Sequence, residues 1–504
     1  MSALPHALDA VSGIVGPRWV RRRRAERETY ASDGLPTLHA LPAAVVLPAS
    51  REEVVRVIRV LAHHGVPFVP RGAGTGLSGG ALADPDAILL VLTRLDRILA
   101  IEPDDRRAVV EPGVVNARLS RAALPYGLQY APDPSSQAAC TIGGNVAENA
   151  GGPHCLKYGV TTNHILELDV VLPDGTEVVL GSPGGEAWGP DLVGLFVGSE
   201  GTFGVATAIT VRLVPLAPAV RTLLADFDAL RPAGEAVSAI IASGVVPAAL
   251  EMMDRNCIRA VEASIYRAGY PTDAAAVLLV ELDGRTDAAV ADTAREVEQL
   301  LRAAGARQVA VAREAPERER LWQGRKKAFG ALGRLSPDLI VQDAVVPRTA
   351  LPDVLEAIDA IGQRLGLTVS NVFHAGDGNL HPNITFDRRD AAERARVEQA
   401  AAEIMEVCLA AGGTITGEHG VGRDKLRYMP AMFDATTLGA MRDVRRTFDR
   451  AERANPGKVI PVHACREWRT GGWADGRSSD STASPSAHPP TRPPAGAVSV
   501  EGGT

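Results

Sequence analysis

Two histidines bracket a tight-turn dipeptide in the segment Asn371-Val372-Phe373-His374-Ala375-Gly376-Asp377-Gly378-Asn379-Leu380-His381-Pro382-Asn383. Asp-Gly between apolar runs is a strong signal for a two-residue hairpin turn. With Asp377-Gly378 at the tip, Gly376 faces Asn379, Ala375 faces Leu380 and His374 faces His381. Directly opposed residues carry Cβ atoms about 5 Å apart, close enough for two imidazoles to share one ion. Downstream, Gly417-Glu418-His419-Gly420-Val421-Gly422 offers a carboxylate and a third histidine in a glycine-rich turn. His374, His381 and Glu418 would leave open positions for water or substrate, as catalytic divalent-metal sites require, with zinc the expected ion. His419 then remains as a general base near neutral pH. The competing reading is a pair of cross-strand surface imidazoles beside an unrelated loop. Arg325, within Trp322-Gln323-Gly324-Arg325-Lys326-Lys327, could grip a substrate carboxylate bidentately. Spacing alone does not single it out from its basic neighbours, and a solvated surface arginine is the alternative.

A second kind of chemistry is written in glycine. Pro70-Arg71-Gly72-Ala73-Gly74-Thr75-Gly76-Leu77-Ser78-Gly79-Gly80 permits close backbone approach to a ligand, and successive amides in such a loop suit a diphosphate. Gly74 to Gly79 satisfies the G-x-G-x-x-G dinucleotide fingerprint, and Asp96 follows at a suitable distance. That fingerprint must open a helix. Here the loop runs through Ala81–Asp86 directly into an apolar strand at 87–92, which argues against a nicotinamide cofactor. A second segment follows: Pro132-Asp133-Pro134-Ser135-Ser136, then Thr141-Ile142-Gly143-Gly144-Asn145-Val146-Ala147-Glu148-Asn149-Ala150-Gly151-Gly152. Its composition suits backbone lying against a flat ligand, with Asn145, Glu148 and Asn149 as hydrogen-bonding groups. Helix capping and turn chemistry are the alternative for those three. A third cluster is Gly198-Ser199-Glu200-Gly201-Thr202-Phe203-Gly204. Three such segments imply one extended cofactor, and FAD is long enough to need them all.

The elements around these segments divide the chain. Residues 1–41 read as a helical lead-in, with a loop near Ser32-Asp33-Gly34. A strand at 43–47 follows, then a helix opened by Ser50 with Glu53 three residues on, a capping box. Val54, Val55, Ile58 and Leu61 form its buried stripe and Gly65 stops it. A strand at 66–69 delivers the chain into the glycine loop. From 215 to 465, amphipathic helices near 228–242, 286–304, 350–365 and 389–411 alternate with strands near 247–252, 275–282, 308–312, 368–374 and 380–386. Hairpin signals among them suggest helices layered on a largely antiparallel sheet, an α+β arrangement. Residues 466–504 are rich in Ser, Pro, Gly and Thr and are expected to be disordered.

Bulk properties narrow the class. The 504 residues suffice for two or three domains, and 46% hydrophobic with 22% charged residues is ordinary for a globular protein. A net charge of −7 argues against a mainly nucleic-acid-binding role. The first residues show no apolar signal core, and Arg21–Arg24 are not followed by one, so a cytoplasmic location is expected. Cys140, Cys155, Cys257, Cys408 and Cys465 are scattered without a C-x-x-C, which excludes a ferredoxin-type cluster in this chain.

Taken with PRGAGTGLSGGAL, APDPSSQAACTIGGNVAENAGG, HCLKYGVTT, GSEGTFGV, LEMMD, GRKKAFGALGRLSPD, NVFHAGDGNLHP, GEHGVGR and NPGK, the chain resembles FAD-linked oxidases of the vanillyl-alcohol oxidase type from about residue 42 to 462. Within them it is similar to the branch of glycolate oxidase D subunits and of D-lactate and D-2-hydroxyglutarate dehydrogenases. The resemblance implies an FAD-binding domain of two sheet subdomains at 42–217 and an α+β cap domain at 218–465. It implies Arg325 as the carboxylate contact, His374, His381 and Glu418 as metal ligands, and His419 as the base. It adds Val205 and Asn455 to the FAD-contacting set and Asn383 to the substrate pocket. The glycine loop lacks the histidine that tethers FAD in some relatives, so FAD is expected to be non-covalent. Val341 stands where the hydroxyglutarate enzymes carry a lysine, which favours a short substrate. Glycolate is expected first; Asn383 leaves D-lactate open. In the implied reaction Arg325 anchors the acid, the metal polarises its hydroxyl, His419 takes the proton and hydride passes to the flavin. The family pattern further implies partner subunits, one of them iron–sulfur, and peripheral contact with the inner face of a membrane through them. A flavin subunit that only relays electrons is the remaining alternative.

Overall fold

Three parallel strands form the frame for the first glycine loop: Ala44–Val46, Phe68–Arg71 and, between them, Ile88–Val91. The computed structural model describes residues 3–185 and 189–461; Cys465 and the tail at 466–504 lie outside the described residues. The helix Arg51–His64 connects the first two strands. Ser50 Oγ accepts the Glu53 amide at 3.3 Å, and Gly65, at φ 66°, ends the helix. Val54, Val57, Ile58 and Leu61 face the sheet in one apolar cluster with Ile88 and Leu90. The lead-in supplies more than a helix. Ala3–Val15 packs Ala7, Leu8, Val11 and Val15 into the same cluster, and Val20–Arg21 adds an antiparallel edge strand beside Val45–Val46. A two-residue strand is too short for alternation to announce it.

A second sheet is antiparallel, in the order Ile98–Glu102, Arg107–Val110, Val205–Arg212, Ile165–Val171, Glu177–Gly181. Its last two strands are joined by the Pro173-Asp174-Gly175 turn. The short helix Ile142–Glu148 lies over it, started by Thr141 Oγ1, which accepts the Gly144 amide at 3.3 Å, and closed by Asn149 at φ 50°. Asn149 Oδ1 accepts the Thr162 amide at 2.9 Å. Asn149 thus has the cap and turn contacts of its alternative reading.

The second half of the chain forms a seven-stranded antiparallel sheet in the order Gln308–Ala312, Ala219–Phe227, Ala276–Gly284, Ala249–Asp254, Thr368–Phe373, Pro382–Phe386, Asp338–Val341. The helices Leu230–Ala242, Asp287–Ala303, Leu351–Leu365 and Ala391–Ala410 accompany it. The histidine hairpin departs from its expected register. Asn371 pairs with Pro382 and His374 with Asn379, so His374 does not directly oppose His381. The reason is tertiary: Ala344–Val345 pairs with Asn379–Leu380, and Val346 N donates to Gly378 O at 2.9 Å. These contacts pin Asp377-Gly378 at the end of a four-residue connection. The shift is two residues, and an even shift keeps each side chain on its face. His374 and His381 thus remain neighbours, with ring centroids 5.2 Å apart and planes at 87°. Among the described residues no helix is long and apolar enough to cross a membrane.

Asn455 locks this frame. Its amide bonds Phe68 O at 2.8 Å; its Nδ2 donates to Gly80 O at 2.9 Å and Glu200 O at 2.6 Å; its Oδ1 accepts from Lys458 Nζ at 3.0 Å. Asn455→Ala should strand two carbonyls, leave the buried Lys458 ammonium with Leu82 O as its remaining partner, and cost about 2–3 kcal/mol in urea unfolding; a change within about 0.5 kcal/mol would contradict this role.

Candidate active site

The histidine strand ends, the 417–422 turn and the Arg325 helix converge on one buried cluster. Glu418 Oε1 lies 3.3 Å from His374 Nε2 and 3.1 Å from His381 Nε2. One donor atom from each of His374, His381 and Glu418 falls within 4.8 Å of the others. The edge of a tetrahedral site with bonds near 2.1 Å is about 3.4 Å, so the two short separations suit a shared cation. His419 Nε2 stands 3.9 Å from Glu418 Oε1, and its ring stacks on His381 with centroids 4.9 Å apart at 3°.

Two buried acids absent from the sequence-based set hold these groups. Asp343 Oδ2 accepts from Thr416 Oγ1 at 2.6 Å, from the Gly417, Glu418 and His419 amides at 2.9, 3.3 and 3.0 Å, and from Lys425 Nζ at 3.0 Å. The turn carrying Glu418 and His419 is thereby wrapped around one carboxylate. Asp343, His381 and His419 also bring three donor atoms within 4.8 Å. Asp343 is already committed to the turn and Lys425, so the Glu418 triad is the better cation site. Glu251 sits in the strand Ala249–Asp254 within the LEMMD motif. Its Oε2 accepts from Arg325 Nε at 2.7 Å and Nη2 at 2.5 Å, and its Oε1 lies 2.8 Å from His374 Nδ1. No local spacing marks either acid; only their neighbours across the fold do.

Electrostatics follow from this crowding. Burial alone would raise Glu251, but Arg325 and His374 hold its carboxyl below the ordinary range. Burial opposes charge on His374 as well, yet Glu251 and Glu418 on either side push it up to about 10. The pair of carboxylates demands positive charge between them. His419 goes the other way: burial pushes its imidazole down to about 4, so it is neutral at pH 7.

The cluster forms one end of a cavity of about 600 Å³. Lining it are Pro70, Arg71, Gly72, Gly74, Thr75, Gly76, Leu77 and Gly80 from the first glycine segment, and Ser136, Gly143, Gly144, Asn145, Glu148 and Gly151 from the second. Glu200, Gly201, Gly204 and Val205 come from the third, with Arg325, His374, His381, Glu418 and His419 completing the wall. Gly143 has no space for a side chain, since a Cβ there would lie 2.6 Å from Pro112 Cβ. Ser199 Oγ and Glu148 Oε2, on lining residues, are buried and without a hydrogen-bond partner in the protein, as are His381 Nδ1 and His419 Nδ1. An extended, hydrogen-bonding cofactor fits these unmet groups.

Other expected contacts support the wall from behind. Ser78 O accepts the Arg423 amide at 2.9 Å, and a Cβ on Gly79 would meet Leu38. Pro132 O accepts Asn116 Nδ2 at 2.9 Å, and a Cβ on Gly152 would meet the Asp133 backbone. Asp133 Oδ2 binds His154 Nδ1 at 3.0 Å and Lys326 Nζ at 3.2 Å. Asn149, Asn383 and Asn455 also lie outside the lining; Asn383 Nδ2 donates to His381 O at 2.6 Å and so helps set that histidine's backbone. Arg71 lines the cavity, yet its guanidinium donates to Tyr30 O, Ser32 O and Ala81 O, tying the loop to the lead-in.

Asp343 gives a pH signature. Burial would raise it, but Lys425, His419 and His381 hold it well below the ordinary carboxylate value. A carboxyl depressed on folding stabilises the fold above its unfolded value, about 4, and loses that contribution as pH falls toward the folded one. Asp343→Asn should therefore lower stability at pH 7 and flatten the acid limb of a stability–pH curve below about pH 4. An unchanged acid limb would show that the carboxylate carries no such load.

Comparison with known proteins agrees with this geometry. Residues 42–181 match the model of an FAD binding domain, and residues 216–459 match that of the FAD linked oxidases, C-terminal domain. The chain is 50% identical over 440 residues to glycolate oxidase subunit GlcD of Escherichia coli K12, covering 87% of this chain and 88% of that one. It is 31% identical to the mitochondrial D-lactate dehydrogenase [cytochrome] of Arabidopsis thaliana, over 84% of this chain and 74% of the other. The fold superposes on p-cresol methylhydroxylase with a TM-score of 0.77 at 17% identity, covering 90% of this chain and 96% of that one. A glycine-lined cavity closed by an α+β cap, with both domain models in chain order, makes this chain a member of the FAD-linked oxidases.

Proposed function

We propose that the chain oxidises a small 2-hydroxy acid with non-covalent FAD, glycolate to glyoxylate first, as the flavin subunit of a multisubunit glycolate oxidase. One observation carries this reading: Arg325 and the His374–His381–Glu418–His419 cluster share a cavity with all three glycine segments. The relative named glycolate oxidase subunit, at 50% identity, supports both the substrate and the partner subunits. Residues 42–217 would hold FAD and 218–465 would form the cap. His374, His381 and Glu418 would hold a divalent metal, zinc first. When bound, FAD supplies a two-electron acceptor and the metal a Lewis acid.

The chain's own groups do the rest. Arg325 grips the substrate carboxylate with the N–H groups that Glu251 leaves free. His419, neutral at pH 7, takes the hydroxyl proton at Nε2, and stacking on His381 fixes its ring. Phe329, Leu339 and Val341 line the same cavity as apolar walls. Those walls would also accept the methyl group of D-lactate, the second reading. Electrons leave toward a partner, an iron–sulfur subunit in this proposal, at the inner face of a membrane.

Anaerobic spectra test this directly. Glycolate should bleach the flavin of the purified chain faster than D-lactate, and L-lactate should not; the reverse order would make D-lactate the substrate. A flavin unmoved by any of them would leave an electron-relay subunit. His419→Ala should retain FAD but lose roughly 10²- to 10⁴-fold in kcat. Since the base needs its proton off, kcat/KM should stay level through neutral pH and fall as pH drops toward about 4, the value to which burial pushes His419.

A further inference from the structure

Glu251 stands outside the cavity wall but touches two groups that work in it. One oxygen takes both Arg325 bonds, at 2.7 and 2.5 Å, and the other lies 2.8 Å from His374 Nδ1. All three side chains are buried, and Glu251 is only 1% exposed. Arg325 arrives on the helix Ala315–Lys326 and His374 at the end of the strand Thr368–Phe373. Among the described residues, neither the Arg325 guanidinium nor His374 Nδ1 has another hydrogen-bond partner.

The chemistry of the bridge is asymmetric. An ionised carboxylate only accepts, so His374 Nδ1 keeps a proton toward Glu251, and Nε2, which faces Glu418, is the nitrogen a metal would take by displacing the proton there. The strength of that second interaction depends on how much negative charge Glu251 has to share. When Arg325 also binds an external carboxylate, its hold on Glu251 weakens and more of that charge falls to His374. A more basic imidazole is a better metal ligand. Resting on the proposed function, we propose that Glu251 is a positioning residue that couples occupancy of the Arg325 clamp to cation binding at His374, His381 and Glu418. Coupling of this kind is reciprocal, so a bound cation tightens the grip on the substrate carboxylate by the same factor. The enzyme would thereby favour the fully assembled site over either half-filled one.

The test is equilibrium Zn²⁺ titration of metal-stripped, FAD-replete protein, with and without propionate, a carboxylate lacking the 2-hydroxyl. Wild type should bind Zn²⁺ about five-fold or more tightly with saturating propionate, the lower range of typical couplings. In Glu251→Gln the side-chain amide can donate to Nδ1 and favour the wrong tautomer. Its Zn²⁺ affinity should fall roughly 10- to 100-fold, and propionate should no longer shift it. Arg325→Met is the companion: it should still bind Zn²⁺ but be indifferent to propionate. A wild-type affinity that propionate leaves unchanged overturns the coupling, as does a Glu251→Gln protein that responds like wild type. Failure of wild type to take up Zn²⁺ at all, with bleaching by glycolate intact, overturns the metal reading and the coupling with it. A Glu251→Gln protein that does not fold leaves the decision to wild type and Arg325→Met, which by themselves can refute it.

Discussion

A charged carboxylate sealed from water survives only where donors and cations surround it, and the site is built on that requirement. Asp343 meets it by drawing in Thr416 Oγ1, three consecutive amides and Lys425. Those amides belong to the turn that carries Glu418 and His419, so satisfying Asp343 and shaping the turn are one event. Glu251 meets it with Arg325 and His374. Arg325 and His374 are thus the counter-charges of one buried acid, and the turn carrying Glu418 and His419 supplies backbone amides to the other. Moving either set would leave a buried carboxylate short of donors.

Glycine works at the seams between these charged parts. The 417–422 turn reaches the cofactor side of the molecule at Gly420, where a Cβ would lie 2.4 Å from Glu148 Oε2 and 2.7 Å from Glu200 Oε1. Glu200 in turn accepts the Val421 and Gly422 amides at 2.6 and 2.8 Å. Backbone from the cap therefore lies directly on acids of the FAD-binding half. A second polar seam runs through His154, between Asp133 Oδ2 and Glu281 Oε1 at 3.0 Å each. The first seam borders the cavity and the second lies behind its wall, so the geometry between the glycine segments and the histidine cluster is held by hydrogen bonds as well as apolar contact.

That the candidate residues come together was partly legible beforehand. His374, His381, Glu418 and His419 lie in two short segments whose glycines and turn chemistry are local, and local signals survive in a sequence. The hairpin register was not legible, because a strand from elsewhere, Ala344–Val345, decided which residues of the turn pair. The reading still placed both histidines on one face, since the slip was even. Asn149 and Asn383 have structural partners that local reading did not supply: one caps a helix and bonds the Thr162 amide, and the other braces the backbone of His381.

By itself the sequence determined the α+β organisation and the FAD-linked family, and it named the glycine segments that meet at one cavity. Periodicity, capping and glycine content are properties of neighbouring residues and need no partner to be read. Tertiary structure alone decided that Glu251 joins Arg325 to His374, and that Asp343 gathers the 417–422 turn. It also decided that Asn455 ties the first glycine loop to the third through Gly80 O and Glu200 O. These are choices about which buried charge or carbonyl finds which donor. They depend on desolvation that exists only once segments far apart in the chain have packed together.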